Sequence, residues 1–246
     1  HRLFLTALSR PEGFLFAAFA GLILAGTVLL SLPIAHAETP VGPLNALFTA
    51  TSAACVTGLV VVDTARDFSR FGQIILLLLI QCGGLGIMTF TALALQVMGR
   101  RLSFRSQVAL HDVFYQKNAA LTFRRNLRWI IAITLLCVAL GAAGIAASLK
   151  NHHPPAQAAY LGIFHSISAF CNAGFSLFSD NLMDPRSNAA FVAAVACLIV
   201  LGGLGYTVIL EALNRSWDAL RRRPRPTTWS LNTRIVLRTS TLLILG

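Results

Sequence analysis

Four long stretches of the chain are apolar and contain no Asp, Glu, Lys or Arg. They cover residues 13–37, 71–99, 129–149 and 187–210. Each reaches the roughly 20 helical residues that are needed to cross about 30 Å of hydrocarbon. The core of a soluble protein could explain one such stretch but not four, so the pattern predicts an all-α integral membrane protein.

The first of these stretches has a second possible interpretation. Ala35-His36-Ala37 resembles a cleavage site, and basic residues precede the apolar run, as in a secretory signal peptide. The uncharged run of residues 13–37 is longer than the apolar region of a typical signal peptide. A first transmembrane helix is therefore the favoured interpretation.

Two further uncharged stretches, 39–62 and 151–179, are less uniformly apolar and could either cross the membrane or enter it and return. If both cross, the 20 Lys and Arg residues divide into 12 inside and 8 outside. If both return to the outer face, the division becomes 16 inside and 4 outside. The second arrangement obeys the positive-inside rule far better, so the sequence predicts two re-entrant segments.

Helix length supports the same interpretation. Pro43 suits the first turn of a helix, and twelve residues over 43–54 would reach about 18 Å, which is enough to reach mid-membrane but not to cross. The second copy begins at Pro154-Pro155 and runs to Phe170. We therefore predict repeated units of helix, re-entrant pore helix, filter loop and helix, as in potassium channels.

The predicted units divide the whole chain. The first helix–pore loop–helix repeat covers 13–99, and the second covers 126–213. Residues 100–125 form a basic cytoplasmic connecting segment, and 214–246 form a basic cytoplasmic segment followed by the start of a third repeat. A longer polypeptide with further repeats is expected, although a half-length protein that dimerises around one pore remains an alternative.

The two re-entrant segments also repeat each other in sequence. Residues 47–58 read L-F-T-A-T-S-A-A-C-V-T-G, and residues 163–174 read I-F-H-S-I-S-A-F-C-N-A-G. Five positions are identical, and each segment is followed by G-G-L-G. An extended return after each short helix could aim peptide carbonyls at a cation, and the helix C-terminus would favour positive charge there.

Charge and cysteines exclude other classes of partner. The net charge is +11, but most Lys and Arg flank the apolar stretches, which predicts contact with anionic lipid headgroups and not with nucleic acid. The five cysteines form no C-x-x-C motif, so neither a disulfide framework nor a structural zinc site is expected. Asp63 and Asp67 are among the outer acidic residues, which either attract cations to a pore mouth or are ordinary loop charges.

With these residues in view, the chain resembles the Trk/Ktr/HKT superfamily of potassium transporters, especially the bacterial membrane subunits. The resemblance rests on S-A-A-C-V-T-G-L from Ser52 with Asp63-Thr64, on S-A-F-C-N-A-G-F from Ser168, and on G-G-L-G-I-M and G-G-L-G-Y. It implies potassium uptake through a filter of backbone carbonyls. The implied ligands are the carbonyl oxygens of Cys55, Val56, Thr57, Gly58, Cys171, Asn172, Ala173 and Gly174.

The resemblance carries further expectations. This chain would supply two of four units around one pore, and glycine at position 58 is associated in the family with preference for potassium over sodium. A homodimer is implied, with a cytoplasmic nucleotide-binding regulatory subunit and a multi-pass location in the cell inner membrane. No catalytic residue and no cofactor are expected, and potassium is the permeant ligand.

Two alternatives from other classes stay open. An intramembrane enzyme could use His165, Ser166 or Cys171, but Thr49 and Ala50 occupy the first two of these positions in the first repeat. A structural membrane scaffold would explain the spans but not the re-entrant segments. His165 itself is either a packing residue or a gating or ligand residue, and the G-G-L-G motifs serve either close packing or bending.

Overall fold

The computed structural model describes residues 11–101, 113–183, 188–220 and 229–245, and every regular element within these ranges is helical. One isolated antiparallel bridge joins His36 to Phe68. The helices are α1 (Pro11–Leu30), α2 (Pro43–Ala54), α3 (Arg70–Arg101), α4 (Val113–Leu149), α5 (Pro155–Phe170), α6 (Ala189–Leu204), α7 (Tyr206–Leu220) and α8 (Leu231–Leu245), with a 3-10 turn at Pro33–Ala35. The predicted all-α class is confirmed.

Within the described residues, one helical segment has the length and apolar composition needed to cross a membrane. It is Leu127–Leu149 in α4, and a second crossing is added if Ala189–Leu204 and Val208–Trp217 are counted as one bent span. Phe16–Leu30 and Arg70–Gly86 are shorter apolar helical segments. These segments overlap the four predicted apolar stretches, and one of them alone has the length and composition of a membrane span as a single helix within the described residues.

Two sequence expectations need correction or refinement here. The stretch 187–210 is not one continuous helix, because α6 ends at Leu204 and Gly205 adopts φ +79°, a conformation that terminates helices. The connecting segment 100–125 is helical over its described part from Val113, and this part is continuous with the apolar length of α4. Residues 102–112 and the basic run 221–225 lie outside the described residues.

The chain forms two compact units. The first contains residues up to Gly84 together with Val138–Ile199, and the second contains Leu85–Cys137 together with Val200–Gly246. Both short helices, α2 and α5, therefore belong to the first unit. In the second unit, the Glu211 carboxylate accepts hydrogen bonds from the Ser230 N–H at 2.9 Å and the Ser230 hydroxyl at 2.6 Å, and this ties α7 to the start of α8.

The core of the first unit surrounds α2. Helix α1 packs along α2, and Gly26 lets α1 approach α3 so closely that an added Cβ would lie 2.7 Å from Leu79 Cδ1. Leu76 and Ile80 of α3 and Phe164 of α5 are fully buried in the same hydrophobic cluster. The start of α3 therefore packs with both short helices, which fixes the scaffold of the candidate site.

The first G-G-L-G motif serves close packing. A Cβ on Gly83 would collide with the carbonyl oxygen of Ala54 at the end of α2, and a Cβ on Gly84 would lie 2.8 Å from Cys171 Sγ. Only residues without a side chain allow α3 to approach the ends of both short helices at this distance. The second motif differs, since its last glycine, Gly205, is the break between α6 and α7. Close packing thus describes the first G-G-L-G motif, and bending describes the second.

We expect Gly83→Ala to lower the thermal stability of the full-length protein in detergent, because the new methyl group meets a backbone carbonyl that cannot turn away. Overpacking of this kind costs roughly 1–3 kcal/mol. The matched control is Gly21→Ala on α1, where an added Cβ meets no described atom within 4 Å. Equal melting temperatures for the two variants would contradict the packing role of Gly83.

Candidate functional site

Helices α2 and α5 end in the same hydrogen-bonded turn. In α2 the Val56 N–H donates to Ala53 O at 3.3 Å and the Thr57 N–H donates to Ser52 O at 2.9 Å. In α5 the Asn172 N–H donates to Ala169 O at 3.0 Å, and the Ala173 N–H donates to Ser168 O at 2.8 Å. This pair of bonds is the Schellman motif, which satisfies carbonyls at the C-terminus of a helix.

In a Schellman motif, the residue after the C-cap adopts the left-handed backbone conformation. Glycine is the usual occupant, but here the positions are held by Val56 at φ 56° and Asn172 at φ 58°. Asparagine tolerates this region, whereas a β-branched valine there is a genuine outlier that costs about 1–3 kcal/mol. Such strain persists only where the surrounding structure imposes it, and it is concentrated at functional sites.

Each turn leads into a short non-helical segment, which we name the first loop (residues 55–58) and the second loop (residues 171–174). Both loops end on a glycine with positive φ, which is 77° at Gly58 and 73° at Gly174. The two loops therefore have left-handed residues at the same two positions, and the sequence repeat is also a repeat of backbone conformation.

A serine near the end of each short helix holds the chain that leaves the loop. The Ser52 hydroxyl donates to Leu59 O at 2.8 Å, and the Ser168 hydroxyl donates to Phe175 O at 2.6 Å. Both serines are buried, and Phe175 is buried as well, so the second bond gives a partner to a carbonyl that has little access to water. Ser52 and Ser168 are identical in the two sequence repeats, but the sequence did not reveal this role.

The two loops meet in the first compact unit. A Cβ built on Gly58 would lie 2.8 Å from Ala173 O and 3.4 Å from Gly174 Cα. A Cβ built on Gly174 would lie 3.3 Å from Gly58 Cα. The structure therefore brings together the two segments that contain all eight sequence-predicted ligands, and it does so at the two glycines.

His165 lies behind the second loop and is fully engaged there. Its Nδ1 donates to Leu161 O at 2.9 Å, which leaves Nε2 to accept from the Ser176 hydroxyl at 3.1 Å and the Leu177 N–H at 3.4 Å. The imidazole also stacks on Phe178 at a centroid distance of 4.9 Å. These contacts favour the packing interpretation, in which His165 joins α5 to the segment after the second loop.

The other residues proposed for an enzyme are engaged elsewhere. The Ser166 hydroxyl donates to Val138 O at 2.7 Å, and Cys171 is buried against Gly84. The described partner of His165 Nε2 on a side chain is Ser176, so His165 and Ser166 do not form a dyad. The nucleophile and base that the enzyme alternative requires are not arranged together.

The acidic residues predicted to lie on the outer side shape the loop between α2 and α3. Asp67 accepts hydrogen bonds from the Thr39 hydroxyl at 2.6 Å and from the Asp63 N–H at 2.7 Å. Asp63 accepts from the Ala65 N–H at 2.8 Å, which is an ordinary turn contact. Asp63 also lines an open cavity of about 300 Å³ with Thr64, Gly174 and Asn181, so it borders the second loop.

Comparison with known sequences identifies the family. The family described as TrkH, cation transport protein, matches residues 15–246. The chain belongs to the TrkH family. It is accordingly an integral protein of the cell membrane, in agreement with its helical architecture and apolar helices.

Individual relatives agree with this assignment. Ktr system potassium uptake protein B of Bacillus subtilis strain 168 is 34% identical over 235 residues, which cover 95% of this chain and 50% of that protein. The protein of the same name from Vibrio alginolyticus is 40% identical over 192 residues, with 78% of this chain and 42% of that protein covered. Potassium/sodium uptake protein NtpJ of Enterococcus hirae is 30% identical over 237 residues, which cover 96% of this chain and 51% of that protein. The TrkH-family chain thus spans about half the length of these relatives.

We expect Ser168→Ala to destabilise the full-length protein by roughly 1–3 kcal/mol, because Phe175 O would be left buried without its donor. The measurement is thermal unfolding in detergent. The control is Thr51→Val, whose lost hydroxyl bonds Leu47 O within its own helix and is exposed. A drop no larger than that of the control would show that the serine does not hold the loop.

Proposed function

We propose that this chain is the N-terminal half of a pore that takes up potassium across the cell membrane. In this proposal α2 and α5 are re-entrant pore helices that enter from the outer face and stop near mid-membrane. The first and second loops return toward that face as parts of one ion filter. The approach of Gly58 to Gly174 is the observation that carries the proposal, since two loops can ligate one ion only if they lie side by side.

The chemistry of the loops supports a filter of peptide oxygens. A dehydrated cation needs oxygen ligands to replace its water, and backbone carbonyls supply them without fixed full charges in the membrane. The ligands we propose are the carbonyl oxygens of Cys55, Val56, Thr57, Gly58, Cys171, Asn172, Ala173 and Gly174. The C-terminal ends of α2 and α5 both lead into these loops, so their dipoles would add negative potential where the cation sits.

The relatives support potassium as the ion. Two are named potassium uptake proteins and a third is named a potassium/sodium uptake protein. The name Ktr system also supports a multi-component assembly, and we propose a homodimer with a cytoplasmic nucleotide-binding regulatory subunit. The missing half of the pore would come from the further length that these relatives have.

The predicted repeats, 13–99 and 126–213, are the units of this proposal. Each would contribute an outer helix, a pore helix, a loop and an inner helix, with 100–125 and 214–246 as cytoplasmic connections. Selective passage along a gradient needs no catalytic residue and no cofactor. A scaffold without transport, the remaining alternative, would give no cation flux from the intact protein in liposomes.

We expect Gly58→Ser and Gly174→Ser in the full-length protein to lower the potassium-over-sodium flux ratio in liposomes by about tenfold, which corresponds to about 1.4 kcal/mol. A side chain at Gly58 meets Ala173 O at 2.8 Å, and the positive φ at both positions strains a serine. Each substitution therefore displaces the carbonyls of both loops.

Gly42→Ser is the matched control for these two variants. Gly42 is the N-cap of α2, where serine is favoured and an added Cβ meets no described atom within 4 Å. We expect its flux ratio to equal that of the unmodified protein. Unchanged ratios in both loop variants would remove these loops from the filter.

A further inference from the structure

A side-chain hydrogen bond joins the two repeats near the first turns of α3 and α5. The Tyr160 hydroxyl donates to Gln73 Oε1 at 2.8 Å, across 87 residues of sequence. Gln73 lies in the first turn of α3, and Tyr160 lies in the second turn of α5. The bond therefore links the inner helix of the first repeat to the short helix of the second.

The Gln73 carboxamide is also hydrogen-bonded through its nitrogen. Its Nε2 donates to Phe68 O at 3.0 Å and to Thr64 O at 3.3 Å, and the residue is only 6% exposed. Both amide donors and the carbonyl oxygen thus have partners, which fixes the orientation of the group. Because Thr64 and Phe68 belong to the segment between the first loop and α3, Gln73 also holds the return path of that loop.

The Arg70 side chain packs on the face of the Tyr160 ring. The Arg70 guanidinium lies 4.0 Å from the centroid of the Tyr160 ring, in the geometry of a cation–π contact. One turn further along α5, Phe164 is fully buried in the cluster that contains Leu76 of α3. Tyr160 is therefore fixed at its ring and at its hydroxyl, and the helix that carries it leads directly to the second loop.

The equivalent positions of the other repeat lack these groups. With the repeats aligned on residues 47–58 and 163–174, Tyr160 corresponds to Leu44, which is 77% exposed. With the G-G-L-G motifs aligned, Gln73 corresponds to Val192. Neither Leu44 nor Val192 can form a side-chain hydrogen bond, so this contact is a property of the joint between the first inner helix and the second short helix, and not of the repeat.

We propose that Gln73 and Tyr160 are positioning residues that set the spacing between the first and second loops and so contribute to ion selectivity. Their bond ties the segment that leaves the first loop to the helix that enters the second. The loops already touch at Gly58 and Gly174, so a small shift of α5 against α3 changes the distance between their peptide oxygens. This inference rests on the proposed function of the loops as a filter.

The test is Tyr160→Phe in the full-length protein, reconstituted in liposomes, with potassium and sodium uptake measured in parallel. The change removes one hydroxyl and keeps the ring under Arg70, so it breaks the bond to Gln73 while the aromatic packing stays. We expect potassium uptake to persist and the potassium-over-sodium ratio to fall by about five- to tenfold, the size of effect that one lost hydrogen bond can have.

Two comparisons separate positioning from stability. Thr49→Val also removes a buried hydroxyl, but this hydroxyl bonds Asn45 O within its own helix at 2.8 Å, so the ratio should not change. The double variant Gln73→Met/Tyr160→Phe removes the carboxamide together with the hydroxyl, so that no amide is left unpaired beside the ring. We expect the double variant to lower the potassium-over-sodium ratio as much as Tyr160→Phe does. If Tyr160→Phe yields too little folded protein, the double variant takes its place in the test.

The outcomes distinguish this inference from the function on which it rests. If the unmodified protein transports potassium and Tyr160→Phe loses thermal stability but keeps its flux ratio, the contact is structural and the inference is wrong. An equal fall of the ratio in Thr49→Val would also overturn it. If the unmodified protein passes neither ion, the proposed function fails, and the inference fails with it.

Discussion

The candidate site depends on the need to give every peptide group a partner where the chain leaves a helix inside an apolar environment. An unpaired peptide group in an apolar interior costs about 1–3 kcal/mol, so the chain can leave a helix there only where its polar groups find partners. This chain meets the requirement twice in the same way. A Schellman motif ends each short helix, and one buried serine takes up the carbonyl seven residues later, Leu59 O or Phe175 O.

These hydrogen bonds also explain how the strained backbone of the loops persists. In a free turn Val56 would leave the left-handed region, because this backbone conformation costs a β-branched residue about 1–3 kcal/mol. The turn is not free, because the Ser52 carbonyl and hydroxyl hold both sides of it and Gly83 of α3 closes against the end of α2. Strain in the loop and close packing around it are therefore two aspects of one arrangement.

The sequence predicted the elements that follow local rules. The prolines at 43 and 155, the repeat at 47–58 and 163–174, and the apolar stretches fix the positions of α2, α5 and the main helices, and the structure has helices there. The different fates of the two G-G-L-G motifs could not be predicted, because the same four letters pack against Ala54 in one copy and end a helix in the other. Tertiary contacts decide between these outcomes. Gln73 and Tyr160 were missed since each is a single polar residue outside the matching segments 47–58 and 163–174.

The two repeats therefore share the backbone conformation of their loops but differ in the side chains that hold these loops. Ser52 and Ser168 impose the same loop geometry, while His165 holds the second loop through Ser176 and its counterpart Thr49 bonds only Asn45 O within its own helix among the described contacts. If peptide oxygens bind the ion, equal backbones make the ligands similar, and the side chains at the joints set the distances between them. On that condition the similar loops would supply similar ligands, and a contact that one repeat alone provides, such as the bond between Gln73 and Tyr160, would set the spacing of one loop against the other. A substitution that breaks the contact between Gln73 and Tyr160 would thus alter the spacing of the two loops, whereas one at Ser52 or Ser168 would alter the backbone of the single loop that this serine holds.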